Sequence, residues 1–521
     1  MKLFFDPIKA QPQAKPLDYC VAVDMQLEEL LNAFLSSKEQ EEATLEIINQ
    51  FCSDPEIISY RADIIEDLTK NDELFDLFCE LRSDLWELSL LYELKMFKNV
   101  PEMVTMKTFL IIERFTEIYQ KFMAGAEKID KKSLSAPIVK ILSDTCSKEK
   151  RAELDKIVKD MGGLRASLET IGEIRLNRYF SRGQNIENSL IPKTEDISMT
   201  KNIANICERL GIDTSEAYAP AIHQPREFSR PVFKALYTLY YDIFKNIDAF
   251  HESYKDVFDT AWLDLVKKLD AVIGFARIFR EIAQKGFRSV KAEVAEKTDI
   301  ADFYSLFLVK RGLAPDQVIY NDYVYGESSF FFITGPNAGG KTIFLSAVGL
   351  CQLFFQACGH VPARKAKIKI MKRMFTHFPV EEYNDNSGRL VEEQGRVERI
   401  FRDITDGQSL ALFNETYSST KADIAYKLSV ELVDKVLEHD VSGLFVTHLH
   451  SLKDYAAETK SRPHCAGVLT ALNDEKTGKR LYKIVPLSTQ NSSFAKDILS
   501  KYDMTVEQML ERLKKKKEED R

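Results

Sequence analysis

Residues 329–342 read Ser-Phe-Phe-Phe-Ile-Thr-Gly-Pro-Asn-Ala-Gly-Gly-Lys-Thr. A short apolar run ending in a glycine-rich turn predicts a buried strand, Ser329–Thr334, that feeds a loop. Gly335, Pro336, Asn337, Ala338, Gly339, Gly340, Lys341 and Thr342 satisfy G-x-x-x-x-G-K-[ST]. A helical pattern over Ile343–Ala357 follows, which is the strand–loop–helix setting that this motif requires. The glycines allow the backbone to wrap closely round phosphates and offer its N–H groups, and the helix N-terminus adds a positive dipole end. Lys341 is expected to neutralise β- and γ-phosphate charge and the Thr342 hydroxyl to ligate Mg²⁺, so ATP and Mg²⁺ are the implied cofactors.

Outward from this loop the grammar is α/β from about Val318. Ile368–Phe378 alternates as a strand, Leu390–Ile404 is helical, and Ser409–Phe413 and Gly443–Val446 read as buried strands with a helix across Ala422–Leu437. Such alternation implies a parallel sheet covered by helices. Cys465–Leu472 and Arg480–Leu487 read as an antiparallel hairpin, followed by helices at Ser493–Ser500 and Thr505–Lys516. The run from Lys514 reads as a solvated helix end.

A phosphate loop needs a second strand that carries a metal-ligand acid and a water-polarising group. Leu410-Ala411-Leu412-Phe413-Asn414-Glu415 is the candidate. Asn414 stands where an aspartate is usual. Its amide accepts a hydrogen bond but adds no charge, so the metal should be held more weakly than by a carboxylate. Glu415 is the candidate base that polarises water. His448, just past the strand Gly443–Val446, falls at the same sheet edge, within reach of a terminal phosphate or its water.

On the other side of the loop, Asp18 to about Lys310 reads as almost wholly helical. Leu236, Tyr240, Ile243, Ile247, Phe250, Tyr254, Val257 and Ala261 recur at spacings of four and three, which predicts one long helix of roughly 38 Å with a single apolar stripe. An intramolecular helical hairpin and an intermolecular coiled coil both satisfy that stripe, and the first is the simpler. Ser181–Pro231, with Gly183 and several prolines, reads as loops between helical bundles.

The 521 residues suggest about three or four domains. A net charge of −8 excludes a small, uniformly basic nucleic-acid module but not a local basic face. Hydrophobic content of 45% excludes disorder over most of the length. No signal peptide is readable at the N-terminus, no stretch approaches about 18 consecutive apolar residues, and none of the eight cysteines forms C-x-x-C. A reducing, cytoplasmic setting without a membrane partner is therefore expected.

Taken together, these residues resemble the ATPase domain of the MutS family of DNA mismatch-repair proteins. Thr334–Thr342 is close to that family's TGPNxGGKS/T, His360-Val361-Pro362-Ala363 matches its VPA segment, and Val446-Thr447-His448 is similar to its ATH strand end. Asn491–Leu510 resembles its terminal helical element, and Ser59-Tyr60-Arg61-Ala62 resembles the start of its helical core. The resemblance implies a helical core and lever region followed by an α/β P-loop NTPase domain of ABC-ATPase type with a C-terminal helical element. The domains implied are a core-like half over 1–180, a loop-rich segment with long lever helices over 181–317, an ATPase domain over 318–490, and a dimerisation element with a charged tail over 491–521. It further implies that Asn321 lies near the adenine, that Ile343 belongs to the nucleotide-binding set, that the protein is a homodimer with composite sites, and that DNA is a partner in repair or mismatch repair.

Three departures accompany the resemblance. The family's mismatch-reading domain has no counterpart, since Phe78-Cys79-Glu80 and Phe250-His251-Glu252 match its Phe-x-Glu wedge only within helical stretches. Asn414, and Thr416–Lys421 in place of a glycine-rich turn, bear on hydrolysis and on communication between subunits. The loop that sends a serine to the partner's γ-phosphate reads Asn386-Ser387-Gly388-Arg389-Leu390, so Ser387 or Arg389 would take that role, Arg389 as a charge-stabilising finger. A nuclease of the Smr type after Lys515 is not expected. The expected activity is Mg²⁺-dependent ATP hydrolysis with Lys341, Glu415 and His448 in the catalytic roles. A nucleotide-switched scaffold without hydrolysis, and an ATPase that acts on protein partners without DNA, are the alternatives.

Overall fold

A computed structural model describes residues 16–93, 101–177, 187–192, 237, 240–258, 261–324, 328–379, 386–418, 420–474 and 480–487, with backbone only for 101–103, 168–177, 187–192, 261, 263 and 386–392. The described residues form two compact units. The smaller draws on the described residues within 76–133 and 139–266, the larger on those within 16–75, 134–138 and 267–487. The Ser493–Ser500 and Thr505–Lys516 helices, and with them the expected 491–521 element, lie outside the described residues.

The smaller unit is helical. Its core joins Met106, Phe109 and Ile112 from the helix Pro101–Lys128, Ile157 and Met161 from Lys148–Ile171, and Phe244, Ile247 and Phe250 from Tyr241–Tyr254. Over its described members, Tyr240 to Val257, the apolar stripe is therefore spent within the chain, as a bundle. It does not lie on one long helix. The helix carrying it has 14 residues and stops at Tyr254, and turn residues follow at 255–257 before Ala261–Gln284 begins. Gly172–Asn177 and Glu187–Pro192 pair as an antiparallel ribbon, a departure from the all-helical and loop reading of this part of the chain.

The larger unit is built on a six-stranded sheet. In chain order its strands are β1 (Phe330–Thr334), β2 (Arg373–His377), β3 (Ser409–Asn414), β4 (Ser442–Val446), β5 (Ala466–Asn473) and β6 (Arg480–Pro486). The spatial order is β2-β3-β4-β1-β5-β6. All pairs are parallel except β5–β6, the expected hairpin. Every residue of β1, β3 and β4 is buried, as strands covered on both faces must be. One face packs Phe330, Phe332, Phe413 and Phe445 against Val433, Val436 and Leu437 of the helix Ala422–Glu438.

The helix Lys341–Cys358 is long and apolar enough, by length and composition, to cross a membrane, but 89% of it is buried within the unit. Its cover comes from early in the chain. Gln356 Nε2 donates to Cys52 O at 2.9 Å and to Met371 O at 2.8 Å, and Arg61 Nη1 donates to Ala357 O at 3.2 Å. Arg61 thus sits at the negative end of the helix dipole, where a cation is favoured. At Gly359, φ is +72°, and a Cβ there would lie 2.2 Å from that of Ala62, so only glycine lets the helix Pro55–Lys70 approach. Residues 16–75 therefore share a core with the phosphate-loop sheet, a division other than the boundaries at 180 and 317 read from the sequence.

Two local readings are corrected. Ile368–Phe378 is not one strand. Lys365–Lys369 joins a small four-stranded sheet, the chain turns at Met371, and β2 begins at Arg373. The helical reading to Lys310 also fails over 290–303, where Val290–Lys291, Glu293–Ala295 and Asp299–Phe303 are short strands.

Candidate functional site

Because β3, β4, β1 and β5 are parallel, their carboxyl ends open on one edge, the place where such sheets bind ligands. Asn414 is level with Val446 and Val446 with Ile333, so the residues just beyond them meet there. β1 runs into the glycine loop, with Gly335 at φ +121° and Gly340 at φ +89° as the residue before the helix. A Cβ on Gly339 would lie 2.9 Å from Pro336 O, so the loop can close this tightly only on glycine.

Lys341 Nζ donates to Gly335 O at 2.9 Å and Pro336 O at 3.0 Å, folded back over the cradle. Burial pushes its ammonium below the usual lysine range; Glu415 opposes that shift and Arg480 adds to it. Thr342 Oγ1 donates to Asn414 Oδ1 at 3.2 Å, which joins the two expected metal positions directly. Glu415, at φ +52°, anchors its N–H on Val446 O at 2.8 Å, and its Oε1 lies 2.7 Å from His448 Nε2. His448 and Glu415 are partly exposed, with 43% and 33% of their side chains accessible, so the pair faces the open edge.

The structure thus brings together Lys341, Thr342, Asn414, Glu415 and His448. Pro336 contributes its carbonyl, Asn337 and Ala338 lie exposed at the tip of the loop, and Ile343 is partly exposed on the first turn of the helix. Asn321 is elsewhere engaged: its Nδ2 donates to Tyr482 O at 3.1 Å and its Oδ1 accepts from Ile484 N at 2.8 Å, so it ties the strand Asn321–Val324 to β6. Ser387 and Arg389 are in the first turn of the helix Asn386–Asp403, and their side chains lie outside the described residues. The two Phe-x-Glu matches carry no wedge, because Phe78 and Phe250 are buried within helices.

Reading the sequence missed several neighbours of the site. β6 carries Tyr482 to the loop: a Cβ on Gly340 would lie 3.5 Å from its ring, half of which is exposed. On the far side of the sheet edge, His377 Nδ1 pairs with Thr416 Oγ1 at 3.0 Å, and Arg396 holds Asp24 at 2.6 Å. No motif announces these residues; each is brought in by strand order or by contacts hundreds of residues apart.

The residues fit a nucleotide and its metal unequally. A glycine loop on a helix N-terminus with a lysine over it is a polyphosphate cradle. Thr342 and Asn414 offer oxygen, which suits a hard cation, but neither brings charge.

The family model for MutS domain V matches residues 331–512. The chain is 28% identical over 190 residues to MutS protein homolog 4 of Homo sapiens, which covers 36% of this chain and 20% of that protein. It is 30% identical over 163 residues to the endonuclease MutS2 of Halalkalibacterium halodurans, 29% of this chain and 20% of that protein. With the DNA mismatch repair protein MutS of Prochlorococcus marinus it shares 29% over 175 residues, 32% of this chain and 19% of that protein. The chain thus matches about a fifth of the length of these curated relatives. The matched stretch includes the phosphate loop, the Asn414–Glu415 strand end and His448, so it is this part of the chain that is similar to MutS domain V.

Proposed function

We propose that the protein binds ATP with Mg²⁺, hydrolyses it slowly, and acts as a homodimer on DNA. The observation that carries this reading is the meeting of Lys341, Thr342, Asn414, Glu415 and His448 at one sheet edge. Bound ATP and Mg²⁺ would supply the phosphoryl group and the metal's charge. The chain's own contributions follow from geometry. The loop amides and Lys341 would hold the phosphates, with Lys341 leaving the Gly335 and Pro336 carbonyls to do so. Thr342 and Asn414 would orient the metal's shell. Glu415 would take a hydrogen bond from water, and His448, at 2.7 Å, would fix the rotamer of that carboxylate. In a dimer, the helix starting at Asn386 would present Ser387 or Arg389 to the partner's site, and nucleotide state would bias the helical unit only through a difference in affinity for its positions. The printed name of one relative, DNA mismatch repair protein MutS, supports a role in DNA repair, and the scattered cysteines support a reducing, cytoplasmic setting.

A second reading, a nucleotide-switched scaffold without useful hydrolysis, is favoured by the uncharged Asn414. Steady-state turnover decides between them. Wild type should exceed Lys341→Ala at least tenfold; equal rates would remove the enzyme, while retained ATP binding would keep the switch. DNA binding should weaken steeply with salt on duplex, branched or single-stranded substrates. The absence of any salt-sensitive binding would leave the reading with protein partners.

A further inference from the structure

The turn that carries Glu415 has an unusual construction. Glu415 and Tyr417 both have left-handed backbone, φ +52° and +65°, and neither is glycine. Left-handed backbone disfavours a side chain with a Cβ, and a bulky residue persists there only when its surroundings hold it. Tyr417 is held: it is 2% exposed, in the core with Phe413 and Val433, and its hydroxyl donates to Gln394 Oε1 at 3.3 Å. Ser418 N closes the turn on Glu415 O at 3.0 Å. Thr416 bonds His377, whose ring burial, with help from Arg396, pushes down to about 4, so that it is neutral at pH 7.

Gln394 belongs to the helix Asn386–Asp403, and so does Arg396, which donates to Phe378 O at 3.0 Å, one residue beyond His377. Both side chains of the turn, Thr416 and Tyr417, therefore end on the same assembly of helix and β2 end. On the opposite side the turn meets β4 and its end, through Glu415 N–H on Val446 O at 2.8 Å and the Glu415–His448 contact.

We propose that Tyr417 and Thr416 are positioning residues that make the Glu415 turn follow the helix Asn386–Asp403, so that a shift of this helix moves the carboxylate relative to His448. The device links the two ends of one chain's contribution to the reaction, the helix expected to reach the partner's site and the base of its own. It rests on the hydrolytic reading only for its effect on turnover, since the link itself is mechanical.

The test uses the full chain carrying Gln394→Met, Gln394→Glu or Tyr417→Phe, with ATP turnover and amide exchange at Ser418 as readouts. Gln394→Met and Tyr417→Phe should each lower kcat about tenfold with KM for ATP unchanged, the double variant should be no worse than either single one, and Gln394→Glu, which keeps an acceptor oxygen, should retain turnover. On a Glu415→Gln background Tyr417→Phe should have no further effect. Ser418 should exchange faster in Gln394→Met while β3 amides do not. Wild-type exchange at Ser418 in both variants overturns the link, with or without turnover. Faster exchange with unchanged kcat in an active wild type, or lowered kcat without faster exchange, overturns the positioning role. If the wild type proves inactive and Ser418 still responds, the hydrolytic reading fails and the link stands.

Discussion

Asn414→Asp restores a charge at one defined point, and the consequence follows from the distance already present. Thr342 Oγ1 lies 3.2 Å from the Asn414 oxygen. A Mg²⁺ on Thr342 would sit about 2.1 Å from the hydroxyl, which leaves it on the order of 4 Å from an aspartate oxygen acting through a water. At an effective dielectric of about 20, a divalent and a univalent charge at that range attract by about 8 kcal/mol. Asn414 is 8% exposed, so dehydrating the new carboxylate takes back several kcal/mol. A net gain of about 1.5–3 kcal/mol remains, which is roughly ten- to hundredfold in Mg²⁺ affinity. Without metal the sign reverses, because the carboxylate then faces the phosphates. The assay is a fluorescent ATP analogue titrated into wild type and Asn414→Asp, first in EDTA and then with increasing Mg²⁺. Tighter binding with Mg²⁺ and weaker binding in EDTA are expected of the variant. A half-saturating Mg²⁺ concentration within twofold of wild type would refute the assignment of Asn414 to the metal position.

Other outcomes follow from contacts described above. Glu415→Gln should keep ATP binding but lower single-turnover hydrolysis by about two orders of magnitude or more; rapid-quench kinetics would expose an unchanged rate. His360, buried beside the Phe279 ring and facing Glu66, Lys70 and Lys291, is pushed by burial from 6.5 down to about 4. The unfolded chain therefore binds a proton below pH 6.5 that the folded chain refuses, and stability falls as pH drops toward 4. Between pH 7 and 5 this one group costs about 2 kcal/mol. Amide exchange of the helix Lys341–Cys358 at the two pH values, corrected for intrinsic chemistry, should show His360→Leu losing that share of the slope, and an identical slope would contradict it. Gly359→Ala should destabilise the larger unit by about 2 kcal/mol or more, through both its φ and the Ala62 contact; thermal unfolding reads this directly, and an unshifted midpoint would speak against the close approach.

The parts legible in the sequence were those in which local pattern and chemistry coincide. Ser329–Thr342 holds strand, loop and the loop's lysine in one contiguous stretch, and Leu410–Glu415 and Gly443–His448 announce strand ends by apolar runs turning polar. Alternation could not reveal that Ile368–Phe378 serves two sheets, because both halves have the same period and only the break at Met371 separates them. The stripe from Leu236 to Ala261 keeps its spacing through a helix end, since side-chain period is indifferent to a few turn residues. The strands at 290–303 are too short to outweigh the helical signal before them. Asp24 and Arg396, 372 positions apart, leave no trace in any window of sequence. Tyr417 hides for another reason: a glycine would have announced the left-handed turn, whereas a tyrosine held there by its surroundings reads as ordinary core.

The buried Gln356 has a practical corollary. Its amide completes backbone hydrogen bonds of Cys52 and Met371 from inside a largely apolar helix. Trimming the gene to begin at Val318 would strip away that Cys52 carbonyl together with the Arg61 guanidinium and Ala62, baring one flank of the very rod that presents Lys341. Recombinant material meant to report nucleotide chemistry should accordingly start ahead of Asp18, because what family boundaries delimit as a module is here only part of a folding entity.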